Sequence, residues 1–227
     1  MGLVPERAVI GAAAAWLKCP DVMDHLLEAK IRAREGEGGP GLDDWIQELA
    51  GPSPTPGGGS AAALAGALAA ALVAMVCRLT TGRKGYVAVQ DRVAAILQEA
   101  AAAQRAQRAL VDLDAAAYEL VRLAYLVPKA HPERAAAVDD ALLSAARTPL
   151  ATARSAAPLV SLAREIGAIG NKNARSDAKV AELLARAAVL GALENVRVNV
   201  AGMSQPSRGR ELLEEAERLE REVSSPS

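Results

Sequence analysis

The sequence contains no phenylalanine, and aromatic residues make up only 2% of its 227 positions. That scarcity argues against a β-sandwich and removes the stacking platforms on which nucleic-acid bases rest. Charge of one sign is equally lacking, because 26 Lys and Arg nearly cancel 27 Asp and Glu. No overall field therefore draws the chain onto nucleic acid or an anionic membrane, and neither is expected as a partner. Cysteine is limited to Cys19 and Cys77 and histidine to His25 and His131, far apart and without a CxxC or Cys/His cluster. Neither a disulfide framework nor a metal site is expected, and a reducing cytoplasm fits.

What the chain has instead is alanine, leucine, glutamate and arginine, residues that favour helix. A chain of this length supports one sizeable core. Residues 9–17 have the apolar character of a signal-peptide core, but Arg7 is the only cation before them, Lys18 follows at once, and no cleavage site is convincing. Residues 61–77 carry no charge and approach the length of a membrane span. Being mostly alanine and glycine, they gain little from lipid, and a buried bundle helix is expected.

Proline and glycine punctuate the rest. Residues 1–41 read as an appended helical segment ending in a Gly/Glu-rich linker, and residues 42–227 as a bundle domain. Residues 42–49 form a short amphipathic helix with Leu42, Trp45, Ile46 and Leu49 spaced to face a core. The string PSPTPGGGS forbids regular structure, and helix resumes from Ser60 to about Thr80, with Gly82 permitting the stop. Small residues at Gly58, Ala62, Gly66, Ala70 and Ala74 let another helix approach closely. The pattern then continues from about Tyr86 to Val127, a helix of about 60 Å, until Pro128. Residues 132–169 are helical in composition, but Pro149 and Pro158 are expected to kink or split them. A turn at 170–175, a helix from 176 to 200 with Ser176 as N-cap, and a charged helix from 208 to 223 complete an all-α, up-and-down bundle of four to five long antiparallel helices.

Three strings carry chemistry. In the first, Pro54, Thr55, Pro56, Gly57, Gly58, Gly59 and Ser60 lead into an apolar helix. Glycines allow positive φ and close approach to a ligand, and the helix start offers unpaired N–H groups to a carboxylate or phosphate. It is not a Walker loop, since no GK[ST] closes it. A loop that merely lets two helices pack is the plain alternative. The second string places Asp112 on a face with Arg108, Glu119 and Arg122, and Asp114 on a face with Tyr118, Val121 and Tyr125. Asp112 is thus expected in solvent and Asp114 buried, where an unpartnered carboxylate is costly. Capping a neighbouring helix is the other use for it. The third string holds Asn171, Asn173, Ser176, Asp177, Asn195 and Asn199. The last two are four apart on an inward face and need hydrogen-bond partners, from a heterocycle or from another helix. Arg83, Lys84, Lys129 and Arg175 are candidates for holding an anionic tail.

In this order, PSPTPGGGSAAALAGALAAALVAMVCRLTTGRKGY, DLDAAAYELVRLAYLVPK and IGNKNARSDAKVAELLARAAVLGALENVRVN resemble the formimidoyltetrahydrofolate cyclodeaminase/methenyltetrahydrofolate cyclohydrolase family. The resemblance covers about residues 42–223. Val127 and Tyr118 depart from the family's usual Leu and Phe, and the first forty residues have no counterpart. The resemblance implies a homodimeric helical bundle, a tetrahydrofolate derivative as substrate and no metal or redox cofactor. It implies an enzyme acting at the carbon bridging N5 and N10, either a cyclohydrolase or a cyclodeaminase. With no transferase half in the sequence, the free-standing bacterial form is expected and hydrolysis slightly favoured. On this reading Asp114 is the acid/base, and Lys129 or Lys84 sets its charge or holds folate carboxylates. Thr55, Gly57, Gly58, Gly59, Ser60, Tyr118, Asn171, Asn173, Asp177, Asn195 and Asn199 position the ligand. A non-catalytic dimer that binds folate or a protein partner is the alternative.

Overall fold

The computed structural model describes residues 41–224. The appended segment expected before them lies outside the described residues, Gly41 excepted. By contacts the chain divides into two units between Pro52 and Ser53. The first contains α1 (Leu42–Ala50), with the Asp44 carboxylate accepting the Gly41 N–H at 2.9 Å. Asp43 and Asp44 suit its positive end. Along its apolar stripe Trp45 and Leu49 are half-buried, and Leu42 and Ile46 are 66% and 46% exposed. A helix of 9 residues has too little area to enclose a core of its own.

The second unit is the bundle. Its long helices are α2 (Gly58–Thr80), α3 (Gln90–Leu126), α4 (Arg134–Ile169) and α5 (Arg175–Ala201), and α6 (Arg210–Ser224) packs on α4 and α5. Named contacts fix their directions. A Cβ on Gly59 would meet Asp114 and one on Gly66 would meet Gln107, so α2 and α3 are antiparallel. Gln107 reaches Thr152 while Arg92 reaches Glu165, which sets α3 against α4. Gly58 lies against Asn195, Gly191 against Ala62, and Asn171 bonds Thr80, so α5 returns along α2.

The core follows from composition. Ile96, Leu150, Leu159, Ile166 and Leu193 are fully buried, each worth about 1.5–3 kcal/mol. Alanines and Gly66 let the backbones close in around them. A Cβ on Gly66 would stand 2.6 Å from the Gln107 side chain, which is itself wholly buried and donates to the Thr152 carbonyl at 2.9 Å. By length and hydropathy α2 could cross a membrane, yet 61% of its apolar window is buried in the bundle.

Two local expectations are corrected. Of the two outcomes expected at Pro149 and Pro158, a kink or a split, the split does not occur, and α4 runs unbroken for 36 residues. The cost of an interior proline, about 3 kcal/mol, is outweighed by the burial of this helix, in which Pro149 itself is a core residue. Ser176 is not the N-cap of α5, which starts one residue earlier behind Ala174. A 3₁₀ turn, Lys172–Ala174, precedes it, and the Asn171 side chain accepts the Asn173 N–H there.

The connection after α5 is tied down by Asp139, 1% exposed. Its carboxylate accepts the Ser204 N–H at 2.7 Å, the Ser204 hydroxyl at 2.8 Å and the Gln205 N–H at 3.0 Å. Burial alone would raise its pKa, but these bonds, with Arg208 nearby, hold it below the ordinary value. A depressed folded-state pKa contributes stability that is present above the unfolded pKa, near 3.9, and lost as pH falls through the folded value. Asp139→Asn should therefore cost about 1.5–3 kcal/mol at neutral pH. In urea titrations across pH the gap to wild type should narrow below about pH 4. A gap independent of pH would show that the ionised carboxylate is not the source.

Candidate functional site

The site arises from unequal helix lengths. α2 starts only at Gly58, whereas α3 runs on past Asp114 to Leu126 and α5 continues to Ala201. Beyond the start of α2 the remaining helices close on a smaller core that includes Val121, Val138, Leu142, Val200 and Met203. The place α2 leaves empty is a cavity of about 250 Å³. Pro54, Thr55, Gly57, Gly58 and Gly59 line it from the turn, and Asp114, Ala117 and Tyr118 from α3. Ala145 of α4 and Asn195, Val198 and Asn199 of α5 complete the wall.

Asp114 is half-buried there, while Asp112 points to solvent. Burial pushes the Asp114 carboxyl above its usual range, and hydrogen bonds from the Ser60 hydroxyl and backbone N–H partly oppose that rise. Ser60 Oγ lies 3.0 Å from Asp114 Oδ2 and 3.2 Å from the Val111 carbonyl. With one proton and two lone pairs, this hydroxyl serves both states of the acid. It donates to the carboxylate when Asp114 is ionised. When Asp114 is protonated, it accepts that proton's hydrogen bond and donates to Val111 instead. Ser60, 0% exposed and outside the cavity lining, is thus a support for Asp114 and not the ligand contact expected of it.

Of the two uses expected of the glycines, positive φ is not found. None of Gly57, Gly58 and Gly59 has positive φ; among the described residues that conformation occurs at Gly82. What Gly59 supplies is room, since a Cβ there would stand 2.1 Å from Asp114 Oδ1. Gly57 is the N-cap of α2 and offers no side-chain cap. The first N–H groups of α2 thus open at the cavity with the positive end of the helix dipole behind them.

On α5, Asn195 Nδ2 donates to the Gly191 carbonyl at 2.9 Å and Asn199 Nδ2 to the Asn195 carbonyl at 3.0 Å. Neither pairs across helices, so each amide is anchored to its own backbone and keeps its Oδ1 as an acceptor for N–H groups of a ligand. Pro149 has no N–H, so the carbonyl of Ala145, another cavity residue, lacks its helical donor. Ala117, Ala145 and Val198 were not anticipated as walls. Ala117 and Val198 were within reach, each being three residues from a polar residue of the site.

Other expected residues lie elsewhere. Asn171, Asn173, Lys84 and Asp177 gather at the opposite end of α2, about 33 Å away along the helix. There Asn171 Nδ2 donates to the Leu79 carbonyl at 3.0 Å and its N–H to Thr80 Oγ1 at 2.9 Å. Lys129 is exposed in the turn after α3, with about 18 Å of helix between Asp114 and the end of α3. Within one chain Lys129 therefore does not set the charge of Asp114. Among the described residues no group of three or more His, Cys, Asp or Glu is placed to hold a metal.

Fold and site together define an all-α bundle protein with a half-buried carboxyl set among amide and backbone hydrogen-bonding groups. Residues 41–218 match the formiminotransferase-cyclodeaminase family. A methenyltetrahydrofolate cyclohydrolase of Methylorubrum extorquens is 39% identical over 182 residues, 78% of this chain and 88% of that protein. A formimidoyltransferase-cyclodeaminase of Sus scrofa is 31% identical over 88% of this chain, which spans only 43% of that longer relative. The crystal structure of a formiminotetrahydrofolate cyclodeaminase from Thermotoga maritima superposes with a TM-score of 0.74 at 30% identity, covering 81% of this chain and 89% of that one. The chain belongs to the formiminotransferase-cyclodeaminase family.

Proposed function

We propose that this chain is a cytoplasmic, homodimeric folate enzyme that acts at the carbon bridging N5 and N10 of tetrahydrofolate. It hydrolyses 5,10-methenyltetrahydrofolate to 10-formyltetrahydrofolate, or it cyclises formimidoyltetrahydrofolate with loss of ammonia. The observation that carries this reading is Asp114, half-buried, held by Ser60 and facing a cavity that also presents Asn195, Asn199 and the start of α2. Hydrolysis is favoured of the two, because the bacterial cyclohydrolase is 39% identical to this chain, against 31% and 30% for the cyclodeaminases.

The chemistry needs little more. In hydrolysis, water adds to the cationic methenyl carbon and Asp114 takes its proton, giving a tetrahedral carbon bonded to N5, N10 and hydroxyl. Breaking the N5–carbon bond returns that proton to N5, and the hydroxyl gives up its own proton to water as the C=O forms, leaving the formyl group on N10. In cyclisation, N10 attacks the formimino carbon on N5, and the acid protonates the departing ammonia. An acid/base group is most effective with a pKa near the working pH, and burial moves Asp114 in that direction. Asn195 and Asn199 supply acceptors for pterin N–H groups, and no metal or redox cofactor is required.

Purified protein with 5,10-methenyltetrahydrofolate should lose the methenyl absorbance faster than the buffer reaction. With formimidoyltetrahydrofolate, release of ammonia reports the other activity. Tight folate binding with neither turnover would overturn the enzymatic reading and leave a folate-binding protein.

A further inference from the structure

α4 holds Pro149 and Pro158 in its interior, and each withdraws the N–H that the carbonyl four residues earlier uses in a regular helix. The two losses differ in what surrounds the carbonyl. Pro158 is exposed, as is Arg154, whose carbonyl it frees, so solvent can complete that group. Pro149 is buried, and so is Ala145, at 5% exposure. A carbonyl and the nitrogen four residues on share one side of a helix, so the freed Ala145 carbonyl lies on the buried side, where the proline ring tilts it out of the helical line. Among the described residues no N–H or hydroxyl from another element reaches it. A buried carbonyl without a donor is uncommon in folded proteins and calls for a partner.

The cavity is where that partner can come from. Gln107 of α3 donates to the Thr152 carbonyl of α4, and the two helices are antiparallel. Seven residues on from Gln107 is Asp114, and seven residues back from Thr152 is Ala145. Two turns from that bond, Asp114 and Ala145 therefore stand at one level of the bundle. Both line the same cavity, with Asn195 and Asn199 on its α5 wall. The two asparagines keep their Oδ1 acceptors, and the Ala145 carbonyl adds a third neutral acceptor from α4. A heterocycle bearing N–H groups, bound to acceptors on two helices beside the Asp114 carboxyl, is held in one orientation.

We propose that the Ala145 carbonyl, freed by Pro149, is a substrate-binding group that accepts a hydrogen bond from a ring N–H of the pterin, together with the Asn195 and Asn199 acceptors. Pro149 is then a positioning residue. It does not line the cavity, and it acts by withholding the N–H that would otherwise occupy the carbonyl. This deepens the folate reading above and rests on it. A proline kept in α4 for packing alone would leave ligand affinity indifferent to a restored N–H.

Returning the N–H tests it. Pro149→Ala and Pro149→Val both supply that group, and the first leaves a little space in the core while the second fills it. Each should keep the helical circular dichroism of wild type and raise KM for methenyltetrahydrofolate about three- to tenfold, the worth of one hydrogen bond. Uniform binding is what is lost, so kcat should change by less than about twofold. Pro158→Ala restores the same helical bond at the exposed carbonyl and should leave both constants as they are. An unchanged KM in a folded Pro149 variant would overturn the assignment, as would an equal rise in KM for Pro158→Ala. A fall in kcat without a rise in KM, or opposite KM shifts in the alanine and valine variants, would also overturn it. If only one of the two Pro149 variants folds, its KM decides. If wild type neither binds nor turns over methenyltetrahydrofolate, the folate reading itself fails, and this assignment falls with it.

Discussion

Asp114→Asn should lower methenyltetrahydrofolate turnover by about 10²–10⁴-fold, the usual worth of a positioned acid/base, while the protein melts no lower than wild type. The two halves of this result have one cause. Burial raises the Asp114 pKa against the opposing Ser60 bonds, so the ionised carboxylate is less comfortable in the fold than in the unfolded chain. That penalty is absent below the unfolded pKa, near 3.9. It builds as pH rises towards the folded value and stays constant above it. An asparagine keeps the acceptor for Ser60 and escapes the penalty. The variant's stability advantage should thus appear above about pH 4, by thermal melts at a series of pH values, and the acid limb of the wild-type rate profile should lie above the ordinary carboxylate range. A variant with near-normal turnover would remove Asp114 from the mechanism.

Gly59→Ala should be nearly as damaging to activity and also harmful to the fold. The added methyl would stand 2.1 Å from Asp114 Oδ1 and 2.5 Å from its Cγ, well inside van der Waals contact. Either the carboxyl rotates out of the Ser60 bond or the start of α2 moves away from α3. A misplacement of about 1 Å at a reacting group costs on the order of 10²-fold in rate, and overpacking of this kind costs about 1–3 kcal/mol. Gly58→Ala is the matched control for stability, because the nearest Asn195 atom would be 3.6 Å away, an ordinary contact. Differential scanning calorimetry should show a lowered Tm for Gly59→Ala and none for Gly58→Ala. Equal Tm values for the two would mean that the α2–α3 contact yields more easily than the geometry implies.

Helix periods, Pro128 and Gly82 made the long helices readable, and the opposite faces of Asp112 and Asp114 were readable because a helix turns 100° per residue. What local pattern could not supply was the effect of packing. Proline inside α4 reads as a break, since its local cost is visible and the burial that offsets it is not. The triple glycine reads as conformational freedom, whereas the crowding at Gly59 comes from a carboxylate 55 residues later in the chain. Ser60 reads as a ligand contact beside those glycines, but the helical turn directs its hydroxyl at α3. The separation of Asn171 and Lys84 from the Asp114 cavity is likewise a matter of helix length, hidden in a string read end to end.

The space in which chemistry is proposed is the portion of α2 that was never built, and this makes its size a matter of register. Extending α2 by one turn towards its N-terminus would advance the helix about 5.4 Å and plug the cleft with backbone. Unwinding a turn would deepen it by the same step. Among relatives, the point where the Pro/Gly strap yields to helix should therefore act as a dial on how bulky a one-carbon substituent fits, adjustable by insertion or deletion without touching any catalytic side chain.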